Sequence, residues 1–409
     1  MGTLSLRGRA VLARARRVVI KIGSALLVEQ GSGDIRRAWM DALAKDIAAL
    51  RAEGREVLIV SSGAIAVGRR YLGLDPKRMR LEDKQAAAAT GQIRLAHAYQ
   101  EVMAEHGFTV AQVLLTLDDS ENRRRYLNAR SCIDTLLKLG AIPVINENDT
   151  VTTQEIRFGD NDRLAARVAQ MASADTLILL SDIDGLYTAD PNKDPKAAFI
   201  PEVTTITPEI AGMAGAALTP HGTGGMITKI LAARICLDAG CAMVIAPGKE
   251  MHPLKRLREG GRHTWFLPEG EPMAARKTWI SGALKAEGCL TVDEGAAKAL
   301  SQGRSLLPAG VRAVEGDFQR GAAVRVVDLE GRPLAKGLMA YPAEDARTIM
   351  GHQSSEIEAL LGYRGREVLI HRDDMVLEGG ARAYAPPSDS ADPSHSEASV
   401  SDTDLQATP

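Results

Sequence analysis

The first part of the chain alternates short apolar runs with longer stretches in which apolar residues recur every three to four positions. The short runs are rich in β-branched residues and predict strands, whereas the longer stretches predict amphipathic helices. We predict strands at 18–20, 56–60, 110–115, 141–145 and 176–180, and helices at 34–53, 81–106, 122–139 and 162–171. Strands that alternate with helices are typical of an α/β fold with a mostly parallel sheet between two layers of helices.

The pattern changes after about residue 270, where short apolar runs are separated by Gly and Asp turns. Runs at 289–292, 322–327 and 367–370, with one amphipathic helix at 294–302, predict a small β-rich barrel or sandwich. The last segment is rich in Ser, Pro, Asp and Ala, which predicts disorder. The predicted organisation is a basic leader (1–16), an α/β domain (17–270), a β-rich domain (277–380) and a disordered tail (381–409).

Composition narrows the class of protein. The 409 residues are 45% hydrophobic and 25% charged, which is typical of a globular chain, and the formal net charge of -2 gives no whole-chain argument for nucleic-acid binding. The four cysteines lack metal-site spacing and predict reduced thiols in a cytoplasmic protein. No apolar run reaches the roughly 18 residues of a membrane span, so we predict no membrane partner, and we predict no metal-ligating residues.

Polar motifs follow the predicted strands at the points where they end. Lys21 closes the first strand, Ser62 follows the second, and Asn146 to Asp149 follow the strand at 141–145. Ser181 and Asp182 follow the strand at 176–180. Because ligands of parallel sheets bind beyond the carboxyl ends of the strands, we expect these side chains to line one crevice.

Two further motifs lie ahead of helices. The loop Gly222 to Lys229 combines glycines, which let N–H groups approach a polyphosphate, with a lysine, but it lacks P-loop spacing. In the motif Gly159-Asp160-Asn161-Asp162, we interpret Asp162 as the N-cap of the following helix. Asp160 and Asn161 then remain to organise lysines or a metal.

The inventory of these motifs favours phosphoryl transfer. It holds two lysines suited to phosphate, Lys21 and Lys229, and no histidine. Phosphoryl transfer depends mostly on positioning and charge neutralisation. A carboxylate acceptor is already ionised at pH 7 and needs no general base, which fits the missing histidine.

In this order, the motifs resemble the glutamate 5-kinase family of the amino-acid kinase superfamily. The segments that carry the resemblance are Val19–Ser24, Ser62–Ile65, Ile145–Asp149, Phe158–Asp162, Ser181–Asp182, Gly185–Pro191 and Gly222–Lys229. Two later segments, Thr291–Ala296 and His371–Met375, resemble the C-terminal PUA domain of that family. The likeness covers about residues 17–374 and implies the amino-acid kinase fold followed by a PUA-like barrel.

The resemblance implies that ATP phosphorylates L-glutamate to L-glutamyl 5-phosphate in the first step of proline synthesis. It also implies Mg²⁺, feedback inhibition by proline and a homo-oligomer, either a dimer or a tetramer. It assigns glutamate binding to Ser62, Asp149 and Asn161, and places Lys21 and Lys229 at the transferring phosphoryl group, with Asp160 holding both lysines. The residues it assigns to ATP are Lys21, Ser181, Asp182, Thr223, Gly224, Gly225, Met226, Ile227, Thr228 and Lys229.

Two alternatives remain open at this level. The first is another kinase of the superfamily, acting on aspartate, N-acetylglutamate, carbamate or a nucleoside monophosphate; the PUA-like segment argues against all four. The second is an RNA-binding or RNA-modifying protein, because PUA domains elsewhere bind RNA. For the kinase itself, the partners we expect include RNA, bound weakly through the PUA-like domain. The arginines that could form a local basic patch are Arg304, Arg312, Arg320 and Arg325.

Overall fold

A computed structural model describes residues 5–29, 32–152, 161–191, 193–213, 225–269 and 285–378. The described strands of the first domain are β1 (Arg17–Ile22), β2 (Glu56–Val60), β3 (Val110–Leu115), β4 (Ile142–Glu147), β5 (Thr176–Ser181), β6 (Leu186–Tyr187), β7 (Phe199–Ile200), β8 (Glu202–Val203), β9 (Ala242–Pro247) and β10 (Thr264–Phe266). Its helices are α1 (Leu6–Arg14), α2 (Ser24–Leu27), α3 (Arg37–Ala52), α4 (Ala64–Tyr71), α5 (Leu81–Ala104), α6 (Leu117–Glu121), α7 (Arg123–Lys138), α8 (Asn161–Met171), α9 (Pro208–Gly212), α10 (Met226–Asp238) and α11 (Pro253–Glu259).

One sheet in the order β3-β4-β2-β1-β5-β9-β10-β8 forms the centre of this domain. Six neighbouring strands run parallel, namely β3, β4, β2, β1, β5 and β9. Strand β10 is antiparallel to β9, and β6 pairs with β7 outside the sheet. The predicted α/β class with a mostly parallel sheet is therefore confirmed. The sequence pattern missed β9, a buried six-residue strand that pairs with β5. It also missed β8 and β10, which are only two and three residues long and extend the sheet at its lateral edge.

Helices cover both faces because successive side chains of a strand point to opposite sides. On β1, Val18 and Ile20 belong to one core, which includes residues of α3 and α5. Val19 belongs to a second core on the other face, which includes residues of α8 and α10. Each face thus has its own buried apolar layer.

Helices α4 and α5 cross at two glycines. A Cβ built on Gly68 would lie 1.8 Å from the carbonyl oxygen of Ala87, and one built on Gly91 would lie 1.8 Å from that of Ala64. Backbone therefore packs directly on backbone at this crossing. The contact holds the start of α4, and the loop before it, against α5.

The segment predicted as a basic leader contains helix α1. Ser5 caps it by accepting a hydrogen bond of 2.9 Å from the N–H of Gly8. Leu12 is only 6% exposed and belongs to the core of the first domain, and Arg55 donates to its carbonyl oxygen at 2.6 Å. Residues 5–14 are therefore packed on the first domain.

The second domain has its own five-stranded sheet, in the order β12-β11-β13-β14-β15. Its strands are β11 (Gly288–Val292), β12 (Val311–Gly316), β13 (Ala323–Val327), β14 (Pro333–Leu338) and β15 (Met375–Leu377), and its helices are α12 (Glu294–Ser301), α13 (Ala343–Ile349) and α14 (Ile357–Leu361). The segment 367–370 forms no strand, only an isolated bridge between Ile370 and Leu306. Leu369 and Ile370 are buried, but their backbone groups pair with loop residues. Apolar content alone therefore misled the prediction there.

Helix α7 of the first domain packs against the second domain. Leu127 forms a small apolar cluster with Ala323 and Leu338. Beside it, the guanidinium of Arg130 is paired with the carboxylate of Asp374, and both side chains are buried. Within the described part of the chain, none of the helices is both long and apolar enough to cross a membrane.

Candidate active site

The register of the sheet brings the predicted strand-end motifs together along the edge formed by the carboxyl ends of the parallel strands, which we call the sheet edge. Lys21 pairs with Val60 on one side and with Leu179 on the other, and Val60 in turn pairs with Ile145. The parallel strands β1, β2, β4 and β5 therefore end at nearly the same level. The residues that follow these four adjacent strands therefore lie side by side beyond the carboxyl ends.

Lys21 lies on the face of the sheet that α8 and α10 cover, because it is two residues after Val19. It is 8% exposed, and its Nζ lies 2.5 Å from Oδ1 of Asp162 in the first turn of α8. An ammonium this deep costs free energy unless an anion pairs with it. Asp162 supplies that anion.

Lys229 reaches the same carboxylate from the first turn of α10. Its Nζ lies 2.9 Å from Oδ2 of Asp162, and the hydroxyl of Thr228 donates to that oxygen at 3.1 Å. Gly225 precedes the helix with φ of 93°, a left-handed value that glycine adopts without steric cost. This glycine lets the loop enter the helix so that α10 begins beside the carboxylate.

The cluster of Lys21, Asp162 and Lys229 carries two positive charges and one negative charge. Burial alone would raise the pKa of Asp162, but the two ammonium groups outweigh burial and hold that pKa below its usual value. Asp162 is therefore ionised at pH 7. Among the described residues no second carboxylate pairs with either lysine, and the N-termini of α8 and α10 add partial positive charge. The arrangement attracts an anion.

The role expected for Asp162 was wrong. Helix α8 begins at Asn161, so Asp162 lies inside the first turn rather than at the N-cap, and it is 1% exposed. The sequence offered one signal, an acidic residue between Asn161 and an apolar helical run, but that signal is equally typical of a cap. Asp160, which was expected to hold the lysines, lies outside the described residues.

A second polar network lies on the side of β2 and β4. The amide of Asn161 donates to the carbonyl oxygen of Ser61 at 2.5 Å and to Oδ1 of Asn146 at 2.9 Å. Asn146 donates to Oε1 of Gln92 on α5 at 2.7 Å. The hydroxyls of Ser61 and Tyr99, also on α5, are 3.1 Å apart. Helix α5 therefore supports this part of the edge, which the sequence motifs did not reveal.

The structure places two predicted residues beside this network. Ser62 follows Ser61 at the start of the turn into α4 and is half-buried. Asp149 lies two residues after the end of β4 and is also half-buried. Burial raises the pKa of Tyr99, so its hydroxyl stays neutral. This side of the edge offers amides, hydroxyls and the Asp149 carboxylate.

On the side of β5 and β9, Ser181 is buried and its hydroxyl donates to Oδ1 of the exposed Asp182 at 3.1 Å. The N–H of Gly248, after β9, donates to the carbonyl oxygen of Ser181 at 2.7 Å. Of the predicted loop, Gly225, Met226, Ile227, Thr228 and Lys229 are described at the start of α10. Thr223 and Gly224 lie outside the described residues.

The part of the chain that the structure describes has no group of three or more His, Cys, Asp or Glu side chains arranged to hold a metal ion. Asp162, a buried carboxylate of the edge, is already engaged by two lysines and a threonine. These residues do not fit a dedicated Mg²⁺ site. Mg²⁺ is commonly carried largely by substrate phosphates and water, which requires no such site.

Comparisons with known proteins match each of the two sheets to a family model. The model of the amino acid kinase family matches residues 16–247, and the model of the PUA domain matches residues 288–361. These matches cover the large sheet except β10 and the small sheet except β15.

Individual relatives are similar over nearly the whole length. A protein of Rhodospirillum rubrum named glutamate 5-kinase is 77% identical over 364 residues, which are 89% of this chain and 97% of that protein. Proteins with the same name from Paramagnetospirillum magneticum and Agrobacterium fabrum are 66% and 58% identical, over 90% and 91% of this chain and 99% and 96% of those proteins.

Proposed function

Because the chain belongs to the amino acid kinase family, and within it to the glutamate 5-kinases, we propose that it transfers the γ-phosphoryl group of ATP to the side-chain carboxylate of L-glutamate. The products are ADP and L-glutamyl 5-phosphate, and the reaction is the first step of proline biosynthesis. The observation that carries the proposal is the buried cluster in which two lysines share one carboxylate at the edge of the sheet. Its excess positive charge suits a transferring phosphoryl group.

In the reaction, a carboxylate oxygen of glutamate forms a bond to the γ-phosphorus while the bond from that phosphorus to the β–γ bridging oxygen breaks. The leaving ADP takes the electron pair. Lys21 and Lys229 neutralise charge on the phosphoryl oxygens, and Asp162 is a positioning residue that holds both ammonium groups in place. The acceptor carboxylate is ionised at pH 7, so no proton transfer to a base is needed.

The two substrates bind on opposite sides of the lysine cluster at the sheet edge. Glutamate binds on the side of β2 and β4, at Ser62, Asp149 and Asn161, where Asp149 pairs with its ammonium group. ATP binds on the side of β5 and β9, at Ser181, Asp182 and the start of α10. Mg²⁺ bound with the nucleotide would add charge neutralisation on the phosphates. The described residues contain no dedicated site for the ion, and none of the residue roles given above depends on one.

Other parts of the proposal come from the family resemblance. They are the roles of Asp160, Thr223 and Gly224, inhibition by proline, assembly into a dimer or tetramer, weak RNA binding by the PUA-like domain, and a cytoplasmic location. Of the arginines considered for an RNA-binding patch, Arg312 is paired with Asp293 at 2.7 Å. That pairing weakens the case for a continuous basic patch.

A coupled assay that measures ADP release tests the proposed reaction. The purified chain receives ATP, Mg²⁺ and one of five acceptors: glutamate, aspartate, N-acetylglutamate, carbamate or UMP. We expect kcat/KM for glutamate to exceed that for every other acceptor at least 100-fold. Hydroxylamine, which traps acyl phosphates, should yield a hydroxamate with glutamate. Absence of turnover with glutamate would overturn the proposal.

A further inference from the structure

A cavity of about 560 Å³ lies where α7 meets the second domain, and four arginines line it. Arg124 comes from the first turn of α7. The other three, Arg320, Arg364 and Arg366, come from loops of the second domain. The cavity is separate from the sheet edge described above, and the proposed kinase reaction uses none of these side chains.

These four arginines have no ion pair within the described residues. The two arginines that flank Arg124 on α7 do have ion pairs. Arg123 pairs with Glu287, and Arg125 pairs with Asp118 and Asp119. The Nε of Arg320 is buried and has no hydrogen-bond partner in the described part of the chain. A buried donor without a partner loses the hydrogen bond that water would supply, so this atom favours a ligand that accepts a hydrogen bond.

The described wall of the cavity has one carboxylate, that of Asp345, which offsets only one of the four positive charges. Asp345 accepts a hydrogen bond of 2.6 Å from the hydroxyl of Tyr363. Asp134 and Asp374 lie within electrostatic range of Arg366, but both form ion pairs with Arg130. The described residues around the cavity therefore leave its positive charge largely uncompensated.

The guanidinium of Arg320 lies in a positive electrostatic environment. Burial lowers the pKa of Arg320, and the like charges of Arg366 and Arg124 lower it further. The first turn of α7 contains no acidic residue, although the positive end of a helix dipole favours acidic side chains there. An anion in the cavity would relieve the repulsion among the guanidinium groups and pair with the helix N-terminus.

We propose that this cavity binds the phosphate groups of a small phosphorylated molecule and that the ligand ties α7 to the second domain. Arginine forks match phosphate oxygens bidentately, and four of them suit a diphosphate better than a single carboxylate. The arginines converge on one concave site rather than forming a track along a surface. This arrangement favours a compact ligand over an RNA backbone, which needs phosphate contacts spread along its length.

The test uses inorganic pyrophosphate as the probe and the full chain as the protein. Isothermal titration calorimetry should show binding to the wild type that falls at least tenfold in the double variant Arg320→Ala/Arg364→Ala. Arg325→Ala is the matched control, since Arg325 is an exposed arginine of β13 with no ion pair in the described residues. It should bind within twofold of the wild type. Pyrophosphate should also raise the melting temperature of the wild type but not of the double variant.

Two further measurements keep the outcomes distinct. Lys229→Met, which weakens the sheet-edge site, should retain the pyrophosphate binding event; its loss would assign the binding to the kinase site and overturn the proposal. Equal affinity of the double variant and the wild type would overturn it as well. If the double variant fails to fold, Arg364→Gln replaces it, because Arg364 is exposed. Salt-dependent binding of a single-stranded RNA that is lost in the variant, without competition by pyrophosphate, would replace the small ligand with RNA.

Discussion

Two buried ion clusters of this molecule have opposite charge balance. At the edge of the large sheet, Lys21 and Lys229 share the carboxylate of Asp162. At the domain junction, the guanidinium of Arg130 faces three carboxylates, those of Asp134, Asp373 and Asp374. The pair of Arg130 and Asp374 is as buried as the sheet-edge cluster, whereas Asp134 and Asp373 are partly exposed.

The two clusters differ in whether further ion pairs of the protein balance their excess charge. Asp134 also pairs with Arg17 at 3.1 Å, and Asp373 with His371 and Arg372, so the junction cluster continues into other ion pairs of the protein. The cation excess of the sheet-edge cluster has no such continuation among the described residues. Balanced buried networks hold elements together, whereas an unbalanced one beside an open edge is typical of a binding site.

The largest effect is expected from Lys229→Met, which removes one of the two shared ammonium groups. Turnover with ATP and glutamate should fall about 10³-fold, or about 4 kcal/mol, because the charge acts mainly in the transition state. Glutamate should still bind. Steady-state kinetics and a glutamate titration measure the two properties separately.

Lys255→Met is the control for that variant, because Lys255 is an exposed lysine of α11 that pairs with Glu259. It should keep turnover within twofold. If Lys229→Met keeps near-wild-type turnover, the cluster is structural like the junction cluster, and the comparison fails.

Arg130→Met should produce the reverse behaviour. It removes the guanidinium of Arg130 from the buried Asp374, and breaking a buried pair in this way costs about 3–5 kcal/mol. Urea unfolding should report that loss, while kcat of the folded fraction stays within about threefold.

A compensating change sharpens this test. Asp374→Leu in the Arg130→Met background removes the carboxylate that has lost the Arg130 guanidinium and should restore part of the stability. No recovery in the double variant would mean that the ion pair is not the source of the loss. A large fall in kcat for Arg130→Met would link the junction to chemistry and erase the distinction.

The sequence predicted the parts of this comparison that depend on local pattern. The apolar periodicity predicts β1 to β5 but not β9. The rule that ligands bind beyond the carboxyl ends of parallel strands brings the strand-end motifs together, and both lysines come from the sequence motifs. It missed the part played by Asp162, because an acid in the first turn of a helix is typical of a cap. Its burial depends on how α8 packs beside α10, which no local pattern contains.

The junction cluster could not be predicted at all. Arg130 and Asp374 are 244 residues apart and belong to different domains. Each looks like an ordinary surface charge in its own segment. The same holds for the cavity arginines, since Arg124 meets Arg320 only when the two domains pack.

On the other side of the sheet edge, Asp149→Ala should raise the KM for glutamate at least tenfold and change the KM for ATP by less than threefold. The reason is that a lost hydrogen bond to a charged group costs about 1.5–3 kcal/mol, here between Asp149 and the substrate ammonium. Substrate titrations at saturating co-substrate measure both constants. Equal changes in the two constants would move Asp149 out of the glutamate site.

The smallest effect is the pH dependence that Asp162 gives to stability. Its pKa is lowered in the folded state, since the two lysines outweigh the effect of burial, so its contribution is present above the unfolded pKa of about 3.9. As pH falls through the unfolded and then the folded pKa, the unfolded chain binds the proton first and the contribution is lost, with a slope of at most about 1.4 kcal/mol per pH unit. Asp162→Asn should therefore show a shallower loss of unfolding free energy below about pH 5.

Asp317→Asn, at an exposed aspartate, should keep the wild-type slope. The slope carries this test rather than the stability at pH 7, because Asp162→Asn also leaves two buried ammonium groups without a carboxylate. An unchanged slope in Asp162→Asn would mean that the lysines do not hold this carboxylate ionised, and the charge excess at the sheet edge would have to be reassigned.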